Sequence, residues 1–245
     1  LKLAISIKNL TVAYEHNPIL YNLNFIAEVG TLVAIMGPNG SGKTTLLQSI
    51  MGLRPVTTGH ITIFDQPSIS QRHKIAYIAQ RASVDWAFPA SVFDIVMMGR
   101  YGQLTFGQRP TAHDKQLVLH ALEQVKMLDL ADRPIEHLSG GQQQRVFLAR
   151  ALAQQADMYI MDEPFIGIDM TTEKIMLDLF LQLKQEHKTI IVVHHDLITV
   201  KKYFDTIFFM NRKEIASGPI ATTLTPENIA KTFHTAINTH DHNFL

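Results

Sequence analysis

The feature that most constrains this chain is an apolar strand pattern that runs into a glycine-rich loop and then a helix. TLVAIMG (residues 31–37) is almost continuously apolar, the pattern of a strand covered on both faces. GPNGSGKT (residues 37–44) follows at once and fits G-x-x-x-x-G-K-[ST] in full. Gly37, Gly40 and Gly42 let the backbone curl so that its N–H groups point inward at phosphate oxygens. KTTLLQSIMG reads as a helix closed by Gly52, and its N-terminus adds roughly half a positive charge to the same place. Lys43 is placed to reach the β- and γ-phosphates of a nucleoside triphosphate, and the Thr44 hydroxyl to ligate Mg²⁺. Pro38, Asn39, Ser41 and Thr45 complete the nucleotide-binding set. The expected ligands are therefore ATP and Mg²⁺.

The rest of the chain alternates short β-rich runs with helical patterns. ITIF, KIAYIA, MYIMD, TIIVV and TIFFM read as further strands. Between Ser91 and Gln154 the strand signal stops. SVFDIVMMG, a segment over residues 114–127 and GGQQQRVFLARAL all read as helices there, and Thr111 with Asp114 forms a capping-box-like start for the middle one. A helix over residues 172–186 carries Ile175, Met176, Leu179, Phe180 and Leu183 on one stripe, and Thr225-Pro226 opens a last helix with Ile229, Phe233 and Ile237 on one face. This pattern predicts one α/β core with an embedded helical subdomain.

Composition narrows the class. The chain has 245 residues, of which 46% are hydrophobic, enough for a buried core. Lys+Arg and Asp+Glu are both 22, so no basic excess points to nucleic acid. There is no cysteine, which excludes disulfides and thiolate metal sites and suits a reducing compartment. No apolar stretch reaches the roughly 18 residues of a membrane span. The start, LKLAISIKNLTVAYE, alternates like a strand and is not expected to be a signal peptide. Leu1 in first place fits a trimmed initiator Met or numbering that begins inside a longer chain.

Two further motifs carry chemistry. In MYIMDEP (residues 158–164) four apolar residues lead into Asp162, whose carboxylate at a strand end suits the Mg²⁺ shell; Glu163 follows, placed to orient or deprotonate a water. In LSGGQ (residues 138–142) Ser139, Gly140, Gly141 and Gln142 open a helix and expose N–H groups as a second anion site. A chain with two anion sites either binds two phosphates or completes the first site of another copy. Spacing alone does not choose.

The ordered set GPNGSGKT, Gln80, LSGGQ, MYIMDEP, Asp169 and His195 resembles the ATP-binding subunit of an ABC transporter over nearly the whole chain. The resemblance implies a P-loop NTPase core, a mixed sheet flanked by helices with an antiparallel β portion near the N-terminus. It assigns residues 1–88 and 155–222 to that core, 89–154 to the helical subdomain and 223–245 to a C-terminal helix and tail. It also implies a head-to-tail homodimer with nucleotides sandwiched between the phosphate loop of one copy and LSGGQ of the other. Tyr14 then matches the aromatic that stacks on adenine, Gln80 the glutamine that senses Mg²⁺ and contacts the membrane partner, Asp169 the loop coupling the two sites, and His195 the histidine at the γ-phosphate. His195 is preferred to His194 because it directly precedes Asp196. Each has a plainer reading: Tyr14 a turn aromatic, Gln80 a strand end, His195 a local hydrogen-bonding group, and Asp169 an N-cap, which does not exclude the other role.

The segment QRASVDWAFPASVFDIVMMGRYG (residues 80–102) resembles ATP-binding subunits of bacterial importers for manganese, zinc, iron or metal chelates, with Ala87 where that group usually has Asp. The implied partners are integral membrane permease subunits and, indirectly, an extracytoplasmic metal-binding protein, which places this subunit at the cytoplasmic face of the membrane. Trp86 and Phe88 could form a docking groove or pack internally. His234, His240, Asp241 and His242 could bind a transition metal, but a polar, frayed terminus is the favoured reading. The alternative functions are a soluble ABC-type ATPase acting on nucleic acid or ribosomes, and an interaction module without catalysis. Balanced charge and a single cassette weigh against the first, and Glu163 with His195 against the second.

Overall fold

The structure is a computed structural model that describes residues 2–14, 17–80, 89–105 and 107–233. Trp86, Phe88 and the histidines of the tail lie outside them. The fold is mixed α/β, with one antiparallel and one mixed sheet. The chain divides into two compact units, Leu1–Glu28 with Val33–Ile69 and Val193–Leu245, and Val29–Leu32 with Ser70–Val192.

In the first unit, β1 (Leu3–Tyr14) and β2 (Asn17–Glu28) form a long antiparallel pair, and β4 (Thr58–Ile63) lies on the other side of β1, with the short β5 (Gln66–Pro67) beyond it. Ile5 faces Ala27 on one side and Ile63 on the other. Leu23, Phe25 and Ala27 are buried while Asn24 and Ile26 are exposed, the alternation of a sheet with one covered face. The register breaks where Asn9 and Asn22 take left-handed backbone, and Gly59 is obligatory because a Cβ there would sit 2.4 Å from the Asn9 carbonyl oxygen. The covered face meets the mixed sheet through Phe25 and Phe208, whose ring centroids lie 4.7 Å apart.

The unit's part of the mixed sheet runs β10 (Glu214–Pro219), β9 (Thr206–Met210), β3 (Leu32–Met36), with β3 parallel to β9 and β10 antiparallel to it. All five residues of β3 are buried, as its unbroken apolar run predicts. α1 (Lys43–Ile50) follows β3. α6 (Leu197–Tyr203), α7 (Ile220–Thr223) and α8 (Pro226–Phe233) complete the unit, with the Thr225 hydroxyl accepting from the Asn228 N–H as the predicted cap.

In the second unit the mixed sheet contributes β8 (Thr189–Val193), β7 (Met158–Asp162) and β6 (Ile75–Ile78) in that order, with β6 parallel to β7. The three predicted helical patterns fall at α2 (Val92–Met97), α3 (Ala112–Gln124) and α4 (Gly140–Ala153), which pack on one another. Each opens with a reciprocal capping box: Ser91 with Asp94, Thr111 with Asp114, Ser139 with Gln142. Arg100, just after α2, bridges α3 and the end of α4 through a buried ion pair and a hydrogen bond. Arg100 Nε lies 2.9 Å from Asp114 Oδ1, and its Nη1 donates to the Ala153 carbonyl at 2.7 Å. α5 (Met170–Gln185) follows β7 and buries Met176, Leu179, Phe180 and Leu183 of the predicted stripe; Leu177 joins them, while Ile175 is half-buried. No helix among the described residues is long and apolar enough to cross a membrane.

Candidate functional site

The phosphate loop leaves β3 at Gly37 and enters α1 at Lys43. Its glycines are dictated by geometry. A Cβ on Gly37 would stand 2.1 Å from the Met210 carbonyl oxygen, and Gly42 sits at φ 93°, where a Cβ would also strike Leu20 at 2.6 Å. Gly42 is the N-cap of α1 and supplies no side chain to bond the helix's first N–H groups. Asn39, Gly40 and Thr44 are exposed, Pro38, Gly42 and Thr45 half-buried, and Ser41 and Lys43 buried. The ammonium of Lys43 folds back over the loop, donating to the carbonyls of Gly37 at 2.9 Å and Pro38 at 3.0 Å. The loop thus presents N–H groups, a helix end and a held cation, the donor set that a polyphosphate requires.

In the same unit, Tyr14 ends β1 with 62% of its surface exposed. At the end of β8 the two histidines part ways. His194 is buried beside Phe204, ring centroids 5.8 Å apart, and burial pulls its pKa down to about 4. His195 is exposed. Asp196 then caps α6, accepting from the N–H groups of Ile198 at 3.1 Å and Thr199 at 2.9 Å.

In the second unit, Asp162 closes β7 and is 2% exposed. Its charge adds to burial in pushing the neighbouring Tyr77 hydroxyl up to about 12. Glu163 leaves the strand at φ 52°, a left-handed backbone uncommon outside glycine. Its Oε2 accepts a 2.7 Å hydrogen bond from the side-chain amide of Gln80. Two residues 83 positions apart, selected separately in the sequence, therefore touch.

Ser139 is exposed at the head of α4, where its Oγ accepts from the Gln142 N–H at 3.3 Å and Gln142 Oε1 accepts from the Ser139 N–H at 2.9 Å. Gly140 is half-buried and Gly141 buried. A Cβ on Gly141 would sit 2.8 Å from Thr172 Oγ1 and 3.0 Å from Asp169 Oδ2, so the signature turn lies against the start of α5. Asp169 is the N-cap of α5: Oδ1 accepts from the Thr172 N–H and Oδ2 from the Thr172 hydroxyl, both at 2.9 Å. These bonds to Thr172 hold the Asp169 carboxyl below its ordinary pKa.

Sequence reasoning missed the end of β9 and the turn after it. The Met210 carbonyl that fixes Gly37 carries no motif, and neither does the left-handed Arg212 beside it. Trp86 and Phe88, read as either a docking groove or internal packing, and the tail histidines, read in preference as a frayed terminus rather than a metal site, lie outside the described residues.

A buried parallel strand that runs into a glycine-built phosphate cradle, together with an acid-tipped strand end elsewhere in the chain, marks a P-loop nucleoside triphosphatase. The profile of the ABC transporter family matches residues 20–166. The chain is 48% identical over 229 residues to the manganese transport system ATP-binding protein MntB of Bacillus subtilis, covering 94% of this chain and 92% of that protein. It is 46% identical over 230 residues to the zinc transport system ATP-binding protein TroB of Treponema pallidum, covering 94% and 86%. Among solved structures, a metal-chelate type ABC transporter in an inward-facing conformation superposes with a TM-score of 0.85 at 31% identity, covering 96% of this chain and 90% of that one. The chain belongs to the ABC transporter family, as one of its ATP-hydrolysing cassettes.

Proposed function

We propose that this chain hydrolyses Mg-ATP at the cytoplasmic face of a bacterial membrane to power import of a transition metal ion, manganese or zinc foremost, or of a metal chelate. The exposed Ser139 at the head of a long helix carries the mechanistic reading, because it offers a phosphate-binding helix end outward to a second copy. The relatives named for manganese and zinc transport support the cargo, and none of those described above favours nucleic acid or ribosomes.

In this reading Lys43 and the loop N–H groups hold the β- and γ-phosphates while Tyr14 stacks on adenine. Glu163 takes the proton of the attacking water as it adds to the γ-phosphorus, and the bond to the bridging oxygen of ADP breaks. His195, exposed and next to the Asp196 cap, steadies the γ-phosphate. Thr44, Gln80 and Asp162 offer hydroxyl, amide and carboxylate oxygens, a hard donor set that fits Mg²⁺. When bound, that ion neutralises phosphate charge. Gln80 must release Glu163 before either serves a nucleotide, since the two are bonded to each other in this structure. The turn of Ser139, Gly140, Gly141 and Gln142 from the second copy adds donors in trans, and Asp169, which lies beside Gly141 and caps α5 through Thr172, transmits that contact to α5. A solved cassette of 25% identity, a post-hydrolysis dimer with ADP and phosphate, supports the pairing. We further hold residues 89–154 to be the helical subdomain, receiving permease subunits that an extracytoplasmic metal-binding protein loads. Co-expression with the membrane subunit encoded beside it, followed by vesicle uptake of labelled manganese and zinc, tests this. ATP-dependent uptake lost in Glu163→Gln is expected; retention of nucleic acid or ribosomes in place of a membrane protein would refute it.

A further inference from the structure

A loop whose backbone N–H groups face a phosphate turns carbonyls to its outer side, and partners for those carbonyls fix how it is held. The outer side here is gripped by a turn that no motif marks. Residues 211–213 join β9 to β10, closed by the Asn211 N–H donating to the Lys213 carbonyl at 2.9 Å. The Arg212 N–H donates to the Ser41 carbonyl at 2.9 Å, at the middle of the phosphate loop. The Arg212 carbonyl in turn accepts from the Tyr21 N–H of β2 at 2.8 Å. One position earlier but one, the Met210 carbonyl presses on Gly37 so closely that no side chain fits there. From the other side Leu20, next to Tyr21, presses on Gly42. The loop is therefore held at its start, middle and end by consecutive parts of one frame.

Arg212 takes φ 58° to make this bridge, a conformation that arginine adopts rarely and that persists only where surroundings impose it. Its side chain is exposed and lines an open cleft of about 700 Å³ with Tyr21, Lys213 and Glu214. The contact to the loop belongs to the backbone of Arg212.

We propose that the turn at residues 211–213 is a positioning strut for ATP binding and hydrolysis, with the Arg212 N–H fixing the phosphate loop through the Ser41 carbonyl. This rests on reading residues 37–44 as the phosphate site. A loop freed at its middle loses the inward alignment of its N–H groups, and misplacement of about 1 Å suffices to cost roughly a hundredfold in such sites. Two substitutions separate backbone from side chain. Arg212→Gly keeps the N–H and favours positive φ, whereas Arg212→Pro removes the donor and forbids that φ.

The test is MgATP and MgADP affinity of the purified full chain by calorimetric titration, with thermal melts as a folding control. Arg212→Gly is expected within about twofold of wild type, and Arg212→Pro to bind about tenfold or more weakly, with KM for ATP rising more than kcat falls. Wild-type affinity in Arg212→Pro, or equal loss in Arg212→Gly, overturns the strut. If the proline variant does not fold, hydrogen exchange on the wild type decides: MgATP must slow exchange of the Arg212 amide, and an unchanged rate overturns the proposal. Lys43→Ala runs alongside. If it binds MgATP normally, the phosphate-loop reading itself has failed; if it loses binding while Arg212→Pro does not, only the strut has.

Discussion

The phosphate loop and the acid-tipped end of β7 are built from opposite materials. The loop is made of backbone: glycines at φ 77° and 93°, a Gly37 pressed on a carbonyl, and a lysine folded onto two more carbonyls. The end of β7 is made of side chains: the Asp162 carboxylate and the Glu163 carboxylate held by an amide. A backbone-made site fails when atoms are added. A side-chain-made site can lose its chemistry with its shape intact. That difference teaches where each region is vulnerable.

The largest effect is expected at the side-chain region. Glu163→Gln should leave ATP binding near wild type while steady-state turnover falls about 10²–10⁴-fold, the usual share of a positioned general base. Unchanged turnover would remove Glu163 from the chemistry. In the backbone region Gly37→Ala should do the converse, weakening ATP binding and lowering the melting temperature together. Its new methyl overlaps the Met210 carbonyl, and overpacking of this kind costs typically about 1–3 kcal/mol. Full affinity with an unshifted melt would show that the loop is softer than its packing implies.

Two smaller effects sharpen the contrast. His194 sits buried and neutral after β8; burial chiefly lowers its pKa, Asp196 opposes that shift and His195 adds to it. Its folded pKa of about 4 lies below the ordinary 6.5, so the unfolded chain binds the extra proton first. Stability is therefore full above about pH 6.5 and falls as pH drops towards 4, by up to roughly 3 kcal/mol. Denaturant melts of His194→Phe against wild type over that window check it; parallel curves would contradict it. Smallest is the effect of Ser139→Ala on stability. It removes the cap of α4 and should cost about 1 kcal/mol, while turnover falls further than that loss explains. A turnover loss no larger than the stability loss would reduce Ser139 to a cap.

The same contrast governs what could be read from the sequence. β3, the phosphate loop and α1 were legible because their information is contiguous: an apolar run, a spaced set of glycines, a helix. Asp162 was legible for the same reason, as the first charge after a buried strand. The capping box at Thr111 and the N-cap at Thr225 were local too. β2 was not read, because Asn17, Asn22 and Asn24 and a register break at Asn22 hide its alternation. β10 was not read because EIASGP is short and has no fully buried residue. Contacts at long sequence distance left no trace. Nothing near Gly37 names Met210, and nothing near Gln80 says that its amide rests on Glu163. The choice of His195 over His194 rested on position alone. The fold separates the two rings, one buried against Phe204 and the other exposed.

The central claim is that two copies of this chain close on ATP, the signature turn of each meeting the nucleotide of the other. Sedimentation of Glu163→Gln with Mg²⁺ and either ATP or ADP tests it most directly, because slowed turnover preserves the triphosphate. The account predicts a dimer with ATP and mostly monomer with ADP, since only the γ-phosphate touches both copies. An equal monomer fraction with the two nucleotides would contradict it.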